Sequence, residues 1–323
     1  MKIAFLELHD WEEKYLSARI DAGHEIVTSL AADADVVSPF IYSKLTAAVI
    51  AGLPKLKLVT TRSPGFVHID VAECSRRGIT VCNVPFYGEN TVAEHTFALI
   101  LALSRKVHEA FVRVRAGNYS LDGLRGFDLK DKTIGVVGAG RIGLHVIRIA
   151  RGFGMKVLAF DLKQDSFWAE VLGFEYAAMD ELLSRSDIIT LHAPYNKHTH
   201  HLINPGNIGK IKRGAILINT ARGGLVDTDA LLKALDEGIL AGAGLDVLEG
   251  EEAVLEESAL LGDKTNPELL RRAIQNHVIL KKPNVVFTPH NAFNSLEALQ
   301  RILDTTAGNI AAFAAGKPQN VVK

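Results

Sequence analysis

Three polar side chains, Arg222, Glu251 and His290, each follow a run of apolar residues that is typical of a buried strand. An arginine can bind a carboxylate through two parallel hydrogen bonds or polarise a carbonyl group. A histidine can give and take a proton near neutral pH, and a carboxylate bonded to its second ring nitrogen would orient it and favour its protonated form. We therefore expect these three residues to bind a 2-oxo or 2-hydroxy acid and to move a proton to or from its C2 oxygen.

Each of the three residues also has an ordinary structural explanation. An arginine after a strand is commonly a surface residue, Glu251 lies among other acidic residues that could form a solvated face, and a lone histidine is commonly structural. Polar residues at successive strand ends of one parallel sheet, however, meet at the edge where such sheets bind ligands. Their combination favours the catalytic interpretation.

A glycine pattern in the middle of the chain predicts a bound nucleotide. Gly138, Gly140 and Gly143 lie between a β-branched apolar run, 133–137, and a segment with apolar residues at helical spacing. In a dinucleotide-binding fingerprint the first glycine permits a tight turn, the second admits the pyrophosphate and the third lets the helix pack on the strand. The helix N-terminus would face the phosphates with its positive end.

Asp161 ends the next apolar segment and stands where an acidic residue hydrogen-bonds the ribose hydroxyls of NAD. The same carboxylate would repel the additional phosphate of NADP, and Leu162 and Lys163 provide no arginine to bind that phosphate. NAD is therefore the predicted cofactor. A turn carboxylate at a strand end is the structural alternative for Asp161.

Composition argues against several other classes of protein. The 323 residues exceed what one hydrophobic core commonly organises, and 48% of them are hydrophobic. Lys and Arg total 36 against 37 Asp and Glu, which gives no reason to expect a nucleic-acid or membrane partner. Cys74 and Cys82 are too few for a disulfide framework, and their apolar surroundings are typical of inert buried thiols. The first apolar stretch is too short for a signal peptide, so a cytoplasmic location is expected.

The elements that would position these residues alternate between strand and helix. The first part lacks a glycine fingerprint after its first predicted strand, Lys2–Leu8, and is expected to form a parallel sheet covered by helices. A long helical pattern, Thr91–Ala116, then leads into the fingerprint, and a last helix is predicted over Ser295–Ala315. Between them, a doubly wound parallel sheet would form from strands predicted at 133–138, 156–160, 187–192, 215–220, 242–247 and 285–289.

Several motifs together resemble the D-2-hydroxyacid dehydrogenase family: 138–143, His192-Ala193-Pro194, Asn219-Thr220-Ala221-Arg222-Gly223, 244–247 and Thr288-Pro289-His290. The resemblance covers essentially the whole chain. It implies an α/β fold with two domains, in which a doubly wound parallel-sheet NAD-binding domain at 99–293 is inserted into a flavodoxin-like substrate domain formed by 1–98 and 294–323. It also implies a homodimer built partly on the long helix near 92–114.

Within this family the sequence is most similar to the branch of D-lactate dehydrogenases, with 92–95, 246–251 and 290–293 among the matching stretches. The resemblance implies that His290 paired with Glu251 performs acid–base catalysis while Arg222 binds the substrate. Gly65, Tyr87 and Phe293 would contact the substrate. NAD would be contacted by residues of the fingerprint and of the strand ends, namely Gly138, Gly140, Arg141, Ile142, Gly143, Asp161, His192, Pro194, Thr220 and Asp246.

Two residues depart from the family pattern in the loop 61–68. Adjacent backbone N–H groups of this loop bind the substrate carboxylate in relatives, and Pro64 removes one of those donors while Gly65 keeps its own. Because Pro64 lacks this donor, we expect weaker anchoring of the carboxylate, or a shifted pose of the substrate. Val67 stands where an aspartate is usual, and it is expected only to repack the loop.

The leading interpretation is reduction of pyruvate to D-lactate with NADH. The same chemistry on glyoxylate, hydroxypyruvate or a bulkier 2-oxo acid remains open, whereas phosphoglycerate and formate oxidation fit less well. An NAD-sensing binding protein that resembles transcriptional corepressors is the alternative from a different class. No metal is expected, because His198, His200 and His201 show no cysteine or carboxylate partner in their spacing and are interpreted as a solvated loop.

Overall fold

The computed structural model describes residues 1–250 and 267–322, which form two compact units. The first unit comprises Met1–Gly88 and Asn294–Lys323, and the second comprises Glu89–Phe293. The second unit begins ahead of the expected boundary at residue 99, because the helix that starts at Glu89 packs on the sheet of this unit. Each unit is built on a parallel sheet, in agreement with the predicted alternation of strands and helices.

The first unit contains five parallel strands. They are β1 (Lys2–Phe5), β2 (Glu25–Val27), β3 (Val36–Ser38), β4 (Leu58–Thr60) and β5 (Thr80–Cys82). Their order in the sheet, β2-β1-β3-β4-β5, is that of flavodoxin-like folds. The helices before the second unit are α1 (Asp10–Ser17), α2 (Ala47–Ala51) and α3 (Val71–Arg76). The sequence did not predict β2, because this short edge strand begins with the exposed Glu25 and has no fully buried residue, so it lacks the apolar run that marks the other strands.

The second unit contains a parallel sheet of seven strands. They are β6 (Thr133–Val137), β7 (Lys156–Phe160), β8 (Glu175–Tyr176), β9 (Ile188–Leu191), β10 (Ala215–Asn219), β11 (Leu240–Leu245) and β12 (Val285–Phe287). The strand order is β8-β7-β6-β9-β10-β11-β12, which is the Rossmann order with one strand added beside β11. All the strands predicted for this part are present, and β8 is an additional short edge strand.

Helices cover both faces of the second sheet. They are α4 (Glu89–Ser104), α5 (Val107–Arg115), α6 (Arg141–Gly152), α7 (Ser166–Leu172), α8 (Met179–Arg185), α9 (Thr228–Asp236) and α10 (Pro267–Leu280). One buried core joins α4 and α6 to the sheet, and a second joins α8, α9 and α10 to it. The strand ends are therefore fixed between two packed layers, which gives a rigid base for side chains that follow them.

The single helix predicted over Thr91–Ala116 is wrong, because the chain turns between α4 and α5. Lys106 adopts a left-handed conformation with φ +51°. The carbonyl oxygen of Ser104 accepts a hydrogen bond from the N–H of Phe127, and a methyl group on Gly126 would lie 2.1 Å from that oxygen. The helix break is therefore stabilised by the segment at Gly126 and Phe127, which packs against it. No glycine or proline at the break predicts it from the sequence.

The C-terminal helix, α11 (Leu296–Ala314), belongs to the first unit. Its side chains Leu303 and Ile310 share a buried core with Ile3 and Phe5 of β1. Alternate residues of β1 face opposite sides of the sheet, so Ala4 packs in a different core. Among the described residues, no helix has both the length and the apolar character that crossing a membrane would require.

Candidate active site

The connection between β6 and α6 has no room for a side chain at two of its glycines. Gly138 has φ +97°, and a methyl group there would lie 2.7 Å from the backbone of His192. A methyl group on Gly143 would lie 2.0 Å from the carbonyl oxygen of Gly138. Gly138 thus permits the turn and the close approach of the next loop, and Gly143 permits tight packing of α6.

Gly140 faces open space at the N-terminus of α6. Within the described part of the chain, no atom beyond the adjoining backbone lies within 4 Å of the position that a Cβ atom would take. Gly140 is the N-cap residue and offers no side chain to the N–H groups of the first turn. These groups, the positive end of the helix and the missing side chain together fit a pyrophosphate. The helix then begins with Arg141, which is exposed and ion-paired with Glu89, and half-buried Ile142.

Asp161 follows β7 and fastens the glycine loop. Its carboxylate accepts the N–H of Ala139 at 2.8 Å and the N–H of Lys163 at 2.9 Å. Each carboxylate oxygen has a second lone pair that can accept a further hydrogen bond. Asp161 therefore holds the turn and keeps acceptors for ribose hydroxyls, which fits the NAD site expected from the sequence.

His192 follows β9 and lies against the glycine loop. Burial lowers the pKa of His192 to about 3, so its imidazole is neutral near pH 7. Its Nε2 atom bonds Thr190 Oγ1 at 2.9 Å, while its Nδ1 atom is buried and has no hydrogen-bond partner among the described residues. This unsatisfied nitrogen fits a polar group of a bound ligand at this loop. Pro194 is exposed, and its carbonyl oxygen accepts a hydrogen bond from Thr199.

The loop after β10 presents Arg222 next to the end of β11. Asn219 shapes this loop, because its amide group donates to the carbonyl of Arg222 and accepts the N–H of Ala221. Gly223 packs directly on the chain after β11, where a methyl group would lie 2.1 Å from the carbonyl carbon of Leu248. The Arg222 side chain is exposed. The geometry leaves this guanidinium accessible to a carboxylate ligand.

Thr220, in the same loop, is buried and faces α4. Its hydroxyl lies 2.9 Å from Thr96 Oγ1. Thr96 donates its own hydrogen to the carbonyl of Val92, so Thr220 is the donor in this contact. The contact ties the end of β10 to α4 and leaves acceptor lone pairs on Thr220.

Asp246, directly after β11, holds the turn that carries His290. Its backbone carbonyl accepts the N–H of His290 at 2.9 Å. One carboxylate oxygen accepts the N–H of Asn291 at 2.8 Å, and the other accepts the N–H of Ala292 at 2.9 Å. Thr288 adds a hydroxyl hydrogen bond of 2.5 Å. One aspartate thus binds the chain on both sides of His290.

The conformation of the turn explains why it needs so many hydrogen bonds. His290 has φ +50°, a region in which a residue with a side chain persists only when its surroundings fix it. Burial raises the pKa of Asp246, but hydrogen bonds from His95, Thr288, Ala292 and Asn291 outweigh burial and place this pKa below its ordinary value. Asp246 is therefore a carboxylate in the folded chain. The ring of His290 packs edge-on against Phe293, with ring centroids 6.5 Å apart.

Glu251 lies outside the described residues, and Glu249 is the last acidic side chain before that gap. The carboxylate of Glu249 accepts hydrogen bonds from His201 at 2.8 Å, from Thr228 at 3.1 Å and from Arg272. Its backbone carbonyl accepts a hydrogen bond from Asn276 at 3.0 Å. The chain that leads towards Glu251 is therefore fixed by α9, α10 and the loop after β9.

The histidine cluster agrees in part with the solvated loop expected from its spacing, because His198 and His200 are exposed whereas His201 is half-buried. His201 lies between two carboxylates, with Nδ1 3.3 Å from Asp227 and Nε2 2.8 Å from Glu249. Atoms of His200, His201 and Glu249 that could each bind a metal ion lie within 4.8 Å of one another. Both ring nitrogens of His201 face carboxylates and Glu249 is ion-paired with Arg272, so these atoms already have partners within the protein. The sequence spacing could not predict Asp227 and Glu249 as partners, because both are distant from His201 in the chain.

The remaining substrate candidates belong to the first unit. Ser63 Oγ donates to the carbonyl of Gly65 at 2.6 Å, and Asn83 donates to the carbonyl of Pro64 at 2.9 Å. The loop is thus rigidly held although Pro64 has no N–H to offer. Val67 is 99% exposed, so it does not repack this loop. Tyr87 is half-buried, and its carbonyl accepts a hydrogen bond from Arg301 of α11.

Known proteins resemble this chain over most of its length. A family model described as D-isomer specific 2-hydroxyacid dehydrogenase, NAD binding domain, matches residues 97–292. A D-lactate dehydrogenase from Curvularia clavata is 42% identical over 287 residues, which are 88% of this chain and 80% of that protein. A glyoxylate reductase from Korarchaeum cryptofilum is 37% identical over 304 residues, which are 92% of this chain and 85% of that protein.

A solved structure extends the likeness to the three-dimensional fold. The D-lactate dehydrogenase of Aquifex aeolicus, complexed with NAD and lactic acid, matches with a TM-score of 0.82 at 38% identity. The match covers 98% of this chain and 96% of the other.

Proposed function

Because this chain belongs to the family of D-isomer specific 2-hydroxyacid dehydrogenases, we propose that it reduces pyruvate to D-lactate with NADH. As a member of this family it is an NAD-dependent oxidoreductase acting on CH–OH donors. The choice of substrate is the proposed step. It is supported by the D-lactate dehydrogenases among its relatives and by the small-acid chemistry of the strand-end residues.

The observation that carries the proposal is the turn that Asp246 holds. It fixes His290 at the carboxyl end of β12 through hydrogen bonds on both sides of the histidine. The Arg222 loop packs on the neighbouring exit of β11 through Gly223. Carboxyl ends of strands in Rossmann-type sheets are where the cofactor and substrate bind. An imidazole and a guanidinium are thus held near adjacent strand ends of the NAD-binding unit.

The proposed roles follow from the charges of these groups. The glycine loop at 138–143 and Asp161 would hold NAD, whose reduced form would provide a hydride for C2 of the 2-oxo acid. Arg222 binds the substrate carboxylate or polarises the C2 carbonyl, because its guanidinium offers several donors in one plane. His290 donates the proton that the C2 oxygen takes up, and takes it back when the hydroxy acid is oxidised. Pyruvate, NADH and one proton give D-lactate and NAD⁺.

Glu251 is proposed as the carboxylate that orients His290. It follows Glu249, whose side chain and carbonyl are held by four neighbouring residues. A carboxylate at the second nitrogen of His290 would favour the protonated ring that reduction requires. This role is tested by Glu251→Gln, which is expected to lower kcat and to narrow the pH range of activity on its basic side.

Substrate size is proposed to depend on Phe293, as the resemblance to D-lactate dehydrogenases implies. The Phe293 ring lies edge-on to His290 with ring centroids 6.5 Å apart, so a substrate bound at His290 would place its C2 substituent near this ring, and a methyl group is the substituent we propose. Gly65 is proposed to bind the carboxylate through its N–H, and Tyr87 to line the pocket. Pro64 cannot contribute a second N–H, so we expect the affinity for the carboxylate to be lower than in relatives with a free donor there.

The decisive experiment is an NADH-oxidation assay with purified protein across pyruvate, glyoxylate, hydroxypyruvate and 2-oxoisocaproate, repeated with NADPH. The highest kcat/KM with pyruvate and NADH supports the proposal. The highest kcat/KM with glyoxylate would identify glyoxylate as the substrate of the same reaction. A relative named glyoxylate reductase is the reason to include this acid. Tight NADH binding without turnover on any acid would favour an NAD-sensing protein.

We also propose that the chain forms a homodimer through the region of α5. Apolar side chains there are exposed, including Phe111 at 61%, Val112 at 63% and Leu121 at 82%. A second copy of the chain would remove these groups from water. Light scattering should therefore give twice the chain mass of 35.1 kDa, and Phe111→Glu should shift the mass towards the monomer.

A cytoplasmic location is proposed from the two cysteines. Burial raises the pKa of Cys74 and of Cys82 to about 11, and neither forms a disulfide. Inert, reduced thiols are consistent with a reducing compartment. Fractionation of the native cell, with this protein followed by immunoblot, would test the location.

A further inference from the structure

His95 of α4 contacts the residues that hold the His290 turn. Its Nε2 atom lies 2.9 Å from Thr288 Oγ1 and 3.4 Å from Asp246 Oδ1. The side chain is 17% exposed, while that of Asp246 is 1% exposed. The contact therefore lies in a largely buried place, where a hydrogen bond is less weakened by water than at the surface.

Two glycines of β11 allow α4 to reach this position. A methyl group on Gly244 would lie 3.0 Å from Leu99 Cβ, and one on Gly242 would lie 3.4 Å from the Leu103 side chain. His95, Leu99 and Leu103 follow one another at intervals of one helical turn, so they share a face of α4. Close packing of this face on β11 brings His95 to the end of the strand, where Asp246 begins the next segment.

The hydrogen bonds of this group have a definite direction. The Thr288 hydroxyl donates its single hydrogen to Asp246 Oδ1. It can therefore only accept in its contact with His95, and His95 Nε2 must carry a hydrogen. The result is a chain of donors from the imidazole through the hydroxyl to the carboxylate. Asp246 in turn accepts the backbone N–H groups of Asn291 and Ala292.

We propose that His95 is a positioning residue for the reaction. Its Nε2–H orients the Thr288 hydroxyl, and the two groups fix the Asp246 carboxylate in the orientation that holds the His290 turn. The inference rests on the proposed role of His290, but His95 itself does not touch the reacting atoms. Loss of the N–H would leave the Thr288 hydroxyl free to rotate and would loosen a turn whose central residue has a positive φ.

The test compares two substitutions that differ in the donor. His95→Gln keeps an N–H group near the position of Nε2, whereas His95→Leu fills the space without a donor. Thr288→Val removes the linking hydroxyl with little change of shape and serves as a second variant if the leucine variant fails to fold. Glu94→Gln, on the exposed side of the same helix, is the matched control.

The expected result is a lower kcat with little change in the KM for NADH. We expect His95→Leu and Thr288→Val to lower kcat about tenfold with little change in the KM for NADH, and His95→Gln to recover most of the loss. Hydrogen exchange of a peptide spanning 288–292, measured without substrate, should be faster in the two donor-free variants and near the wild-type rate in the glutamine variant.

Two outcomes would overturn the proposal. Donor-free variants with kcat and exchange within twofold of wild type would show that the turn does not need His95. A glutamine variant as impaired as the leucine variant would show that the donor is not the cause. Since exchange is measured without turnover, a wild-type protein that reduces none of the acids would refute the proposed function and leave the exchange comparison valid.

Discussion

Gly223 lies so close to Leu248 that any side chain at Gly223 would collide with backbone. A methyl group there would lie 2.1 Å from the Leu248 carbonyl carbon and 2.4 Å from the nitrogen of Glu249. The loop that presents Arg222 and the chain that leads from β11 towards Glu251 are therefore placed by one contact. Backbone atoms cannot yield as the end of a flexible side chain can.

Substitution of this glycine should therefore impair catalysis more than cofactor binding. We expect Gly223→Ala to lower kcat/KM for the 2-oxo acid by about 100-fold, because displacing the Arg222 loop by about 1 Å is enough for such a loss. The Kd for NADH, measured by fluorescence titration, should change far less. Gly209→Ala is the control, since a methyl group at Gly209 meets open space. Equal, near-wild-type kinetics of both variants would contradict the prediction.

His290 is predicted to carry the proton transfer. His290→Ala should lower kcat by about 10² to 10⁴-fold while NADH binding is preserved, because general acid catalysis contributes on that order. The control is His198→Ala, which removes an exposed imidazole from another loop. A steady-state assay together with NADH titration separates the two effects. Activity of the His290 variant near that of wild type would remove this residue from the mechanism.

Pro64 is predicted to weaken substrate anchoring. Pro64→Val restores a backbone N–H and should lower the KM for pyruvate about tenfold, since a hydrogen bond to a charged carboxylate contributes about 1.5 kcal/mol or more. The loop should keep its shape, because Asn83 and Ser63 hold the carbonyls of Pro64 and Gly65. Val67→Thr, at a fully exposed position, should leave the KM unchanged. An unchanged KM in the Pro64 variant would refute the prediction.

His192 is predicted to make the folded chain sensitive to acid. In the unfolded chain its ring gains a proton below about pH 6.5, whereas burial lowers the folded-state pKa to about 3. The free energy of unfolding is therefore unaffected by His192 above pH 6.5. It falls as the pH decreases from 6.5 towards 3, by at most about 1.4 kcal/mol per pH unit.

Urea unfolding of the unliganded protein at pH 7, 6 and 5 would measure this effect. The variant His192→Gln should lose less stability between pH 7 and 5 than wild type, because glutamine takes up no proton. His198→Ala, which changes an exposed imidazole, should keep the wild-type slope. Identical slopes for wild type and His192→Gln would show that burial of this ring does not control the acid response.

The sequence by itself determined the strand–turn–helix at Gly138–Gly143, six of the seven strands of the second sheet and the use of NAD. These features are local, because strand propensity, glycine conformational freedom and an acidic residue at a strand end are all expressed within short segments. The family followed from the same local motifs. Cys74 and Cys82 were likewise predicted as inert buried thiols, and burial raises the pKa of both to about 11.

Only the tertiary structure decided features that depend on residues distant in the chain. The helix break at Lys106 lies beside a hydrogen bond from the N–H of Phe127 to the carbonyl of Ser104. The two carboxylates beside His201 come from Asp227 and Glu249, and His95 contacts Asp246 because α4 packs on β11. The periodicity of a sequence does not predict contacts between residues distant in the chain. These contacts depend on how the elements pack and on the need to satisfy buried hydrogen-bonding groups. The sequence therefore supplied the candidates for the reacting groups, and the fold determined what holds the His290 turn and the Arg222 loop in place.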